Sequence, residues 1–385
     1  MKKSLVIGGS NGIGLAITLE LQKKGHFVHV VDKESNKLLE TLDNISFRQV
    51  NLLSSDMSFL ESYHDIDTLV ITAGFGRIAS FDDLLEPEIQ NSFQVNSISV
   101  IKTLHFFFPR MKQKESFHCA VMGSIAGLIS SPLFATYGAT KAAVCNAIES
   151  LNIELEMAGT QNRILNVSPG SIKGTKFNGG DNDLSKTEAL AKAIIDKMEG
   201  KEMIFIPQYD EVYRDVLERY HQNPHQFGLD SYQYKQQSGR TSDHPQLKIG
   251  YLSGTFDLFH IGHLNLLRRA KQYCDYLVVG VHKDASHKGK KTFISFEERT
   301  EIVRSIKYVD KVIPSEKEDC DIYLKGIVKY DFLFVGSDYK GTERFERYER
   351  IFADTNVKII YFPYTQGTSS SQLRDALSAV SQSQA

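Results

Sequence analysis

Ser4 to Gly25 read SLVIGGSNGIGLAITLELQKKG, and this stretch decides the fold of the first half of the chain. An apolar run too short for a helix, Leu5 to Ile7, enters Gly8-x-x-x-Gly12-x-Gly14, and a helical pattern of leucine, isoleucine and alanine follows. That is a buried strand turning directly into a helix. Glycines let the backbone turn tightly there and approach a pyrophosphate, whose charge the helix N-terminus holds. The cradle comprises Gly8, Ser10, Asn11, Gly12, Ile13 and Gly14. Asp32 ends the next apolar run, FVHVVD, eighteen residues beyond Gly14. A carboxylate at that place accepts hydrogen bonds from adenosine ribose hydroxyls and repels a 2′-phosphate, which favours NAD(H). Lys33 beside it softens the repulsion and keeps NADP(H) open. Alone, the same residues also suit a plain βα turn and a strand-end aspartate.

Outward from that turn the pattern repeats. TLVITAG, HCAVMGS, RILNVSPG and EMIFIP are further short apolar runs, most of them followed by a segment long enough for a helix. Such alternation predicts an α/β fold over residues 1–207: a doubly wound Rossmann-fold parallel sheet of about seven strands, covered on both faces. Residues 208–247 turn polar and rich in Tyr and Gln, and read as a helical, partly ordered connector with a helix at Asp210–His221. At Lys248 a second βαβ pattern begins. KIGYLSG, YLVVGVH, KVIP, FLFVG and KIIYFP predict a smaller Rossmann-like sheet of about five strands over residues 248–377. Residues 378–385 read as a frayed tail.

The 385 residues are too many for one ordinary core. With 45 basic and 47 acidic residues the net charge is −2, so no global field points to nucleic acid or an anionic membrane. Four scattered cysteines without a CxxC pair read as reduced thiols. The opening apolar run is too short for a signal peptide, and no apolar run reaches membrane-spanning length. These features predict a cytoplasmic protein.

Tyr137 and Lys141 lie four apart in YGATKAAV, a helical pattern, so their side chains share a face. A nearby ammonium favours phenolate and lowers a tyrosine pKa from roughly 10, letting the phenol exchange a proton near neutral pH. Ser124, ending HCAVMGS, can hydrogen-bond the same substrate oxygen. Add the glycine motif, Asn96 in VNSISV, the thirteen-residue spacing from Ser124 to Tyr137, and SPGSIKGT (Ser168 to Thr175). With these, residues 1–207 resemble the short-chain dehydrogenase/reductase family. The resemblance implies Tyr137 as proton donor and acceptor, Ser124 positioning a carbonyl or hydroxyl, and Lys141 on the nicotinamide ribose. It also implies Asn96 on a water-linked proton path and Ile172 with Thr175 on the carboxamide. The family's NAG stands here as Thr72-Ala73-Gly74, and its adenine-contacting Asp as Asn51. Both departures keep hydrogen-bonding capacity, so Asn51, Ala73 and Gly74 stay in the expected cofactor site. The short segment after Thr175 implies a small, open substrate.

Gly254 to His263 read GTFDLFHIGH. A strand delivers Gly254, Thr255, Phe256 and Asp257 to a loop bearing His260 and His263, and a helical pattern, LNLLRRAKQY, follows. Two imidazoles three apart at a helix N-terminus form a donor cluster for phosphate oxygens. Phosphoryl transfer needs donors where charge grows, plus a metal ion on the triphosphate, so Mg2+ is expected with the nucleotide. No third ligand with metal-like spacing lies nearby, which argues against a protein-held zinc. The stretch from Lys248 to Arg374 resembles the glycerol-3-phosphate cytidylyltransferases of the HxGH nucleotidyltransferase superfamily. It shares YLVVGVHKD (Asp284), KGKK (Lys288, Lys290, Lys291), SFEERTEIVRSIKYVDKVIP, FLFVGSDYKG (Asp338) and TQGTSSSQLR. The resemblance implies His260 and His263 as stabilisers of the transition state and Lys290 at the triphosphate. Arg299 and Lys307 would meet the triphosphate or acceptor phosphate. Gly254, Thr255, Phe256, Asp257, Asp284, Lys288 and Asp338 would fall around the nucleotide or acceptor, with Thr365, Ser369 and Ser370 on phosphates. KGKK also reads as a solvated loop and EERTEIVR as an ordinary helix surface. The relatives' RTEGIST stands here as Tyr364 to Ser370 without its arginine and acid, which bears on phosphate grip and acceptor choice. Nothing in the motif selects cytosine over adenine; CTP rests on the overall likeness.

Together the halves predict a bifunctional enzyme. The first would reduce a keto-sugar phosphate to a polyol phosphate, and the second would load it with CMP to give a CDP-polyol for teichoic-acid-like or capsular polymers. The alternative is a transferase, using CTP or ATP, with the first half as scaffold. The partners expected are these small molecules and a second copy of the chain, with no nucleic acid and no membrane.

Overall fold

Apolar runs that alternate with helices become parallel strands. The computed structural model describes residues 1–53, 56–175, 177, 182–239, 241, 247–283, 292–315, 318–363 and 372–373. The chain forms two compact units, Met1–Pro245 and Gln246–Ala385.

In the first unit the strands are β1 (Lys3–Ile7), β2 (Phe27–Asp32), β3 (Ile45–Gln49), β4 (Thr68–Ile71), β5 (His118–Met122), β6 (Ile164–Val167) and β7 (Ile204–Phe205). They pair in the order β3-β2-β1-β4-β5-β6-β7, every pair parallel. The helices are α1 (Gly12–Lys23), α2 (Lys37–Glu40), α3 (Glu86–Phe93), α4 (Ser99–Met111), α5 (Ala135–Met157), α6 (Leu184–Glu199), α7 (Arg214–Gln222) and α8 (Pro224–Gln237). Strand side chains alternate between faces, so each strand feeds two cores. Leu5 and Ile7 join the core capped by Val100, Leu104 and Phe107 of α4 and Ile148 of α5. Val6 joins the opposite core with Leu15 and Ile17 of α1 and Ile194 and Met198 of α6. A sheet buried on both faces is why these strands read as unbroken apolar runs.

The polar stretch after β7 is more ordered than its composition implies. The helix expected at Asp210–His221 begins as a wide π-type turn, Tyr209–Tyr213, and continues as α7. A second helix, α8, follows at once: the Asn223 side chain accepts from the Gln226 amide at 3.0 Å and Pro224 fills the first turn, which needs no N–H.

In the second unit β8 (Ile249–Gly254), β9 (Tyr276–His282), β10 (Lys311–Ser315), β11 (Phe332–Gly336) and β12 (Lys358–Phe362) pair in the order β10-β9-β8-β11-β12, again all parallel. Among the described residues the helices that accompany them are α9 (Ile261–Tyr273), α10 (Phe296–Arg304), α11 (Asp319–Leu324) and α12 (Glu343–Phe352). Gly280 of β9 is bare so that Tyr251 can cross it: a Cβ there would lie 2.3 Å from the phenol oxygen, which hydrogen-bonds Ser315 of β10 at 3.0 Å. Strand order reverses beside β1 in one sheet and beside β8 in the other, and ligands of such sheets bind at the carboxyl ends of the strands there. Both sequence motifs sit at those ends. All four cysteines are buried and free of disulfides. Among the described residues no helix is long and apolar enough to cross a membrane.

Two candidate active sites

The first site starts where β1 turns into α1. Gly8 has φ +89°, and a Cβ on it would lie 2.4 Å from the Ala73 nitrogen; a Cβ on Gly14 would lie 2.1 Å from the Gly8 carbonyl oxygen. Any side chain at either place forces the turn open. Thr72 ties the turn to β4 by donating to Gly8 O at 3.0 Å. Asp32, at the end of β2, accepts from the Ser10 amide at 3.0 Å and from the Lys33 amide at 2.7 Å. Burial pushes its carboxyl above the usual range and these amides pull it back. The Ser10 hydroxyl is fully buried without a hydrogen-bond partner. A tight, side-chain-free turn with an orphaned hydroxyl and a carboxylate fits a dinucleotide. Thr175, which donates to Ile172 O at 3.2 Å, has its methyl 3.3 Å from where a Gly12 Cβ would stand. Asn182 closes the far side: its amide accepts from Gly12 N and donates to Asn11 Oδ1, both at 2.9 Å. Sequence reading missed Asn182, which no motif marks. Asn51 is used locally, accepting from Leu53 N at 3.0 Å.

The reacting groups gather at the ends of β5 and β6. Tyr137 and Lys141 lie one turn apart on α5, the Lys141 nitrogen 5.8 Å from the Tyr137 ring centroid. Lys141 is 2% exposed and donates to Met122 O at 2.7 Å. Burial pushes Tyr137 up to about 12; the Ser124 hydroxyl pulls it down and the Cys145 thiol raises it. Burial likewise lowers Lys141 to about 8. The sequence suggests an ammonium drawing the phenol down; here desolvation, which penalises both charged forms, sets the direction for each group. Asn96 reaches the site because α3 and α4 are joined by a π-type turn, Gln94–Ile98. A π-bulge turns one side chain out of helical register, and such bulges cluster at functional sites. The Asn96 amide accepts from Phe75 N at 3.0 Å and donates to Phe75 O at 2.8 Å. A Cβ on Gly74 would lie 3.2 Å from Asn96 Oδ1 and 3.4 Å from the Lys141 nitrogen. Phe134 stacks on Tyr137 at 4.3 Å and Phe177 stands 5.3 Å away, two aromatic walls no motif announces.

The second site follows β8. Phe256 and Leu258 both adopt left-handed backbone (φ 53° and 50°), a conformation costly for residues with a Cβ and held only when neighbours enforce it. Asp257 between them is the enforcer. It is 2% exposed and accepts from Phe293 N at 3.1 Å and Ile294 N at 3.0 Å. The turn ends at His260, which caps α9: its Nδ1 accepts from Gly262 N at 3.0 Å, and its own amide donates to His263 Nδ1 at 3.4 Å. Burial lowers the His260 pKa, keeping it neutral at neutral pH. A neutral imidazole that accepts at Nδ1 carries its proton on Nε2. Both rings, 4.0 Å apart, thus present Nε2–H donors beside a helix N-terminus.

Arg299, expected at a phosphate, is fully buried with its fork on main-chain carbonyls: Ile294 at 3.0 Å, His282 at 2.9 Å, Lys283 at 3.1 Å, and Thr255. It and Asp257 are corrections to the sequence reading, since both brace the loop from inside. Lys307 is exposed beside Tyr308, and Asp338 is exposed just past β11. Asp284, Lys288, Lys290, Lys291, Thr365, Ser369 and Ser370 lie outside the described residues. Among the described residues no group of three or more His, Cys, Asp or Glu side chains could hold a metal ion.

Two α/β units, each with a nucleotide-type turn at its strand-order reversal, define a two-site nucleotide-handling enzyme. Residues 2–185 match the short chain dehydrogenase family and residues 251–376 the cytidylyltransferase-like family. Glycerol-3-phosphate cytidylyltransferase of Bacillus subtilis is 37% identical over 132 residues, 33% of this chain and 95% of that protein. The enzyme of that name from Staphylococcus aureus is 36% identical over 132 residues, 32% of this chain and 90% of that protein. An uncharacterized oxidoreductase of Staphylococcus epidermidis is 26% identical over 210 residues, 50% of this chain and 89% of that protein. A solved short-chain dehydrogenase from Streptomyces avermitilis covers 62% of this chain and 99% of its own at 21% identity, with a TM-score of 0.50; that likeness concerns the fold. The chain belongs to the cytidylyltransferase family through its second unit, a nucleotidyltransferase, and its first unit is similar to the short chain dehydrogenases over residues 2–185.

Proposed function

We propose that the first unit reduces a small keto-sugar phosphate to a polyol phosphate and that the second transfers CMP from CTP to that phosphate. The observation that carries the reading is the presence, in one chain, of the Ser124–Tyr137–Lys141 cluster and a cytidylyltransferase whose relatives are named for glycerol 3-phosphate. A reductase makes the alcohol that such a transferase consumes.

In the reductase, bound nicotinamide supplies the hydride. Ser124 hydrogen-bonds the carbonyl oxygen, and Tyr137 gives that oxygen its proton as the carbon takes the hydride. Lys141 and Ile172 with Thr175 hold the nicotinamide end, and Asp32 and Ser10 the adenosine end. Asp32 favours NAD(H) over NADP(H). In the transferase a phosphate oxygen of the polyol phosphate attacks the α-phosphorus of CTP, the bond to the β-phosphate breaks, and pyrophosphate leaves. The Nε2–H groups of His260 and His263 meet the charge that grows on the α-phosphate oxygens. Mg2+ arrives with the triphosphate. Lys290, Lys288, Thr365, Ser369 and Ser370 complete the grip by resemblance, with Lys307 and Asp338 at the rim. The CDP-polyol is the type of donor that teichoic-acid-like or capsular polymers need. Exposed Ile98 just before α4, Ile101 and Phe106 on α4, and Ile153 and Met157 on α5 support self-association.

The test is a mass-spectrometric screen of the purified chain with NADH or NADPH, CTP or ATP, Mg2+ and a panel of ketose phosphates. A nucleotide-linked alditol is the expected product. Nucleotidyl transfer to polyol phosphates without any oxidation of reduced nicotinamide would instead support a scaffold role for the first unit.

A further inference from the structure

The segment after β7, polar enough to read as a connector, braces the peptide that holds Ser124 and the loop that leads into the helix bearing Tyr137. Its first arm is Tyr213, the last residue of the turn before α7. Gly170 is bare where the phenol arrives: a Cβ built there would lie 1.5 Å from the Tyr213 oxygen. The residue before it, Pro169, has the carbonyl that accepts from Ile125 N at 3.0 Å and from the Ser124 hydroxyl at 3.5 Å. Tyr213 therefore bears on the peptide that holds Ser124.

The second arm is Lys235 of α8. It is 9% exposed, and its ammonium donates to Ser131 Oγ at 2.7 Å and Pro132 O at 2.8 Å. Ser131 O in turn accepts from Phe134 N at 3.0 Å, and Phe134 is the ring stacked on Tyr137. A Cβ built on Gly228 of the same helix would lie 4.0 Å from the Pro132 and Ser130 side chains, so the helix packs alongside that loop with room to spare. Tyr220 of α7 lines an open pocket of about 480 Å³ whose other walls are the Ala126–Pro132 loop and α5. The hairpin is tied to itself by Asp230, which accepts from Arg219 at 3.1 Å and Gln226 at 2.8 Å.

We propose that the α7–α8 hairpin is part of the reductase's working site, with Tyr213 the positioning residue for Ser124 and Lys235 the positioning residue for Tyr137. The inference rests on the reductase reading above. Neither residue needs to touch substrate; each fixes a loop whose displacement by ~1 Å is worth about 10²-fold in rate.

Full-length Tyr213→Ala, Tyr213→Phe and Lys235→Met are compared with the natural chain in the ketose-phosphate screen, alongside NAD(H) affinity and thermal unfolding. Tyr213→Ala and Lys235→Met are expected to lower kcat about tenfold or more, with NAD(H) Kd within about twofold. Tyr213→Phe, which keeps the ring, falls between. Loosening Ser124 also removes its downward pull on Tyr137, so the alkaline limb of the pH profile moves up in Tyr213→Ala. Gly170→Ala, which drives a methyl into the phenol, should be no worse combined with Tyr213→Ala than alone. Unchanged kcat, or kcat falling only in step with cofactor affinity and melting temperature, overturns the proposal. A natural chain that oxidises no reduced nicotinamide sinks the reductase reading itself. Positioning is then judged by hydrogen exchange: faster exchange in Tyr213→Ala confined to residues 124–131 and 169–172 upholds it, and unchanged exchange there overturns it.

Discussion

At the scale of single residues, burial favours the neutral form of the reacting groups in both sites. In the reductase, burial raises Tyr137 and lowers Lys141, so both are held neutral well beyond their ordinary ranges. Tyr137→Phe should lower reduction by about 10²–10⁴-fold, the span of a lost general acid, while NAD(H) still raises the melting temperature. The lysine carries a stability signature with a definite sign. Its folded pKa, about 8, lies below the 10.5 of an unperturbed lysine, so between those values the unfolded chain holds the extra proton and stability rises with pH. Lys141→Met should remove that rise, making its stability relative to the natural chain greatest near pH 7 and falling as pH climbs through the window. Denaturant unfolding at pH 7, 9 and 10 reads the difference. In the transferase, burial keeps His260 neutral and the cap fixes which nitrogen is protonated. His260→Ala should lower nucleotidyl transfer by about 10²–10³-fold, as expected for a lost charge-stabilising donor.

At the scale of elements, legibility follows burial. Strands covered on both faces, such as β1 and β9, are unbroken apolar runs and are plain in the sequence. β3 is not: ISFRQ sits at the sheet edge with no residue fully buried, so its apolar signal is weak. The reacting residues were legible because chemistry fixes both their type and their spacing. Their supports were not, since a brace can come from any element that reaches. Asp257 and Arg299 show the converse error, where a motif residue was given to the ligand and the fold spends it on the loop. Arg299 ties α10 to the ends of β8 and β9, and no other side chain spans four carbonyls that diverge so far. Arg299→Met should cost the second unit several kcal/mol, because each buried carbonyl left unmet costs ~1–3. Arg299→Lys should recover little, having no planar fork. Thermal unfolding that leaves the second unit's transition unmoved in Arg299→Met would refute the bracing role.

At the scale of the whole molecule, each unit has its own sheet and its own pair of cores, and each carries its own candidate site at the ends of its own strands. One chain then fixes the two activities at equal numbers, a benefit only if the product of one is the substrate of the other. The decisive comparison uses single-site variants that disable one activity and spare its neighbour. Tyr137→Phe, given ketose phosphate, reduced nicotinamide and CTP, should form no CDP-polyol, yet should form it at the natural rate when given the polyol phosphate and CTP. His260→Ala should do the reverse, oxidising reduced nicotinamide and accumulating the polyol phosphate. Mixing the two variants should restore CDP-polyol from ketose phosphate, with a lag while the free intermediate builds up in solution. If the natural chain shows the same lag, the fusion serves stoichiometry alone; a shorter one means the intermediate meets the second site at raised local concentration. Failure of the mixture to make product while each variant keeps its spared activity would show that the two halves act on different compounds.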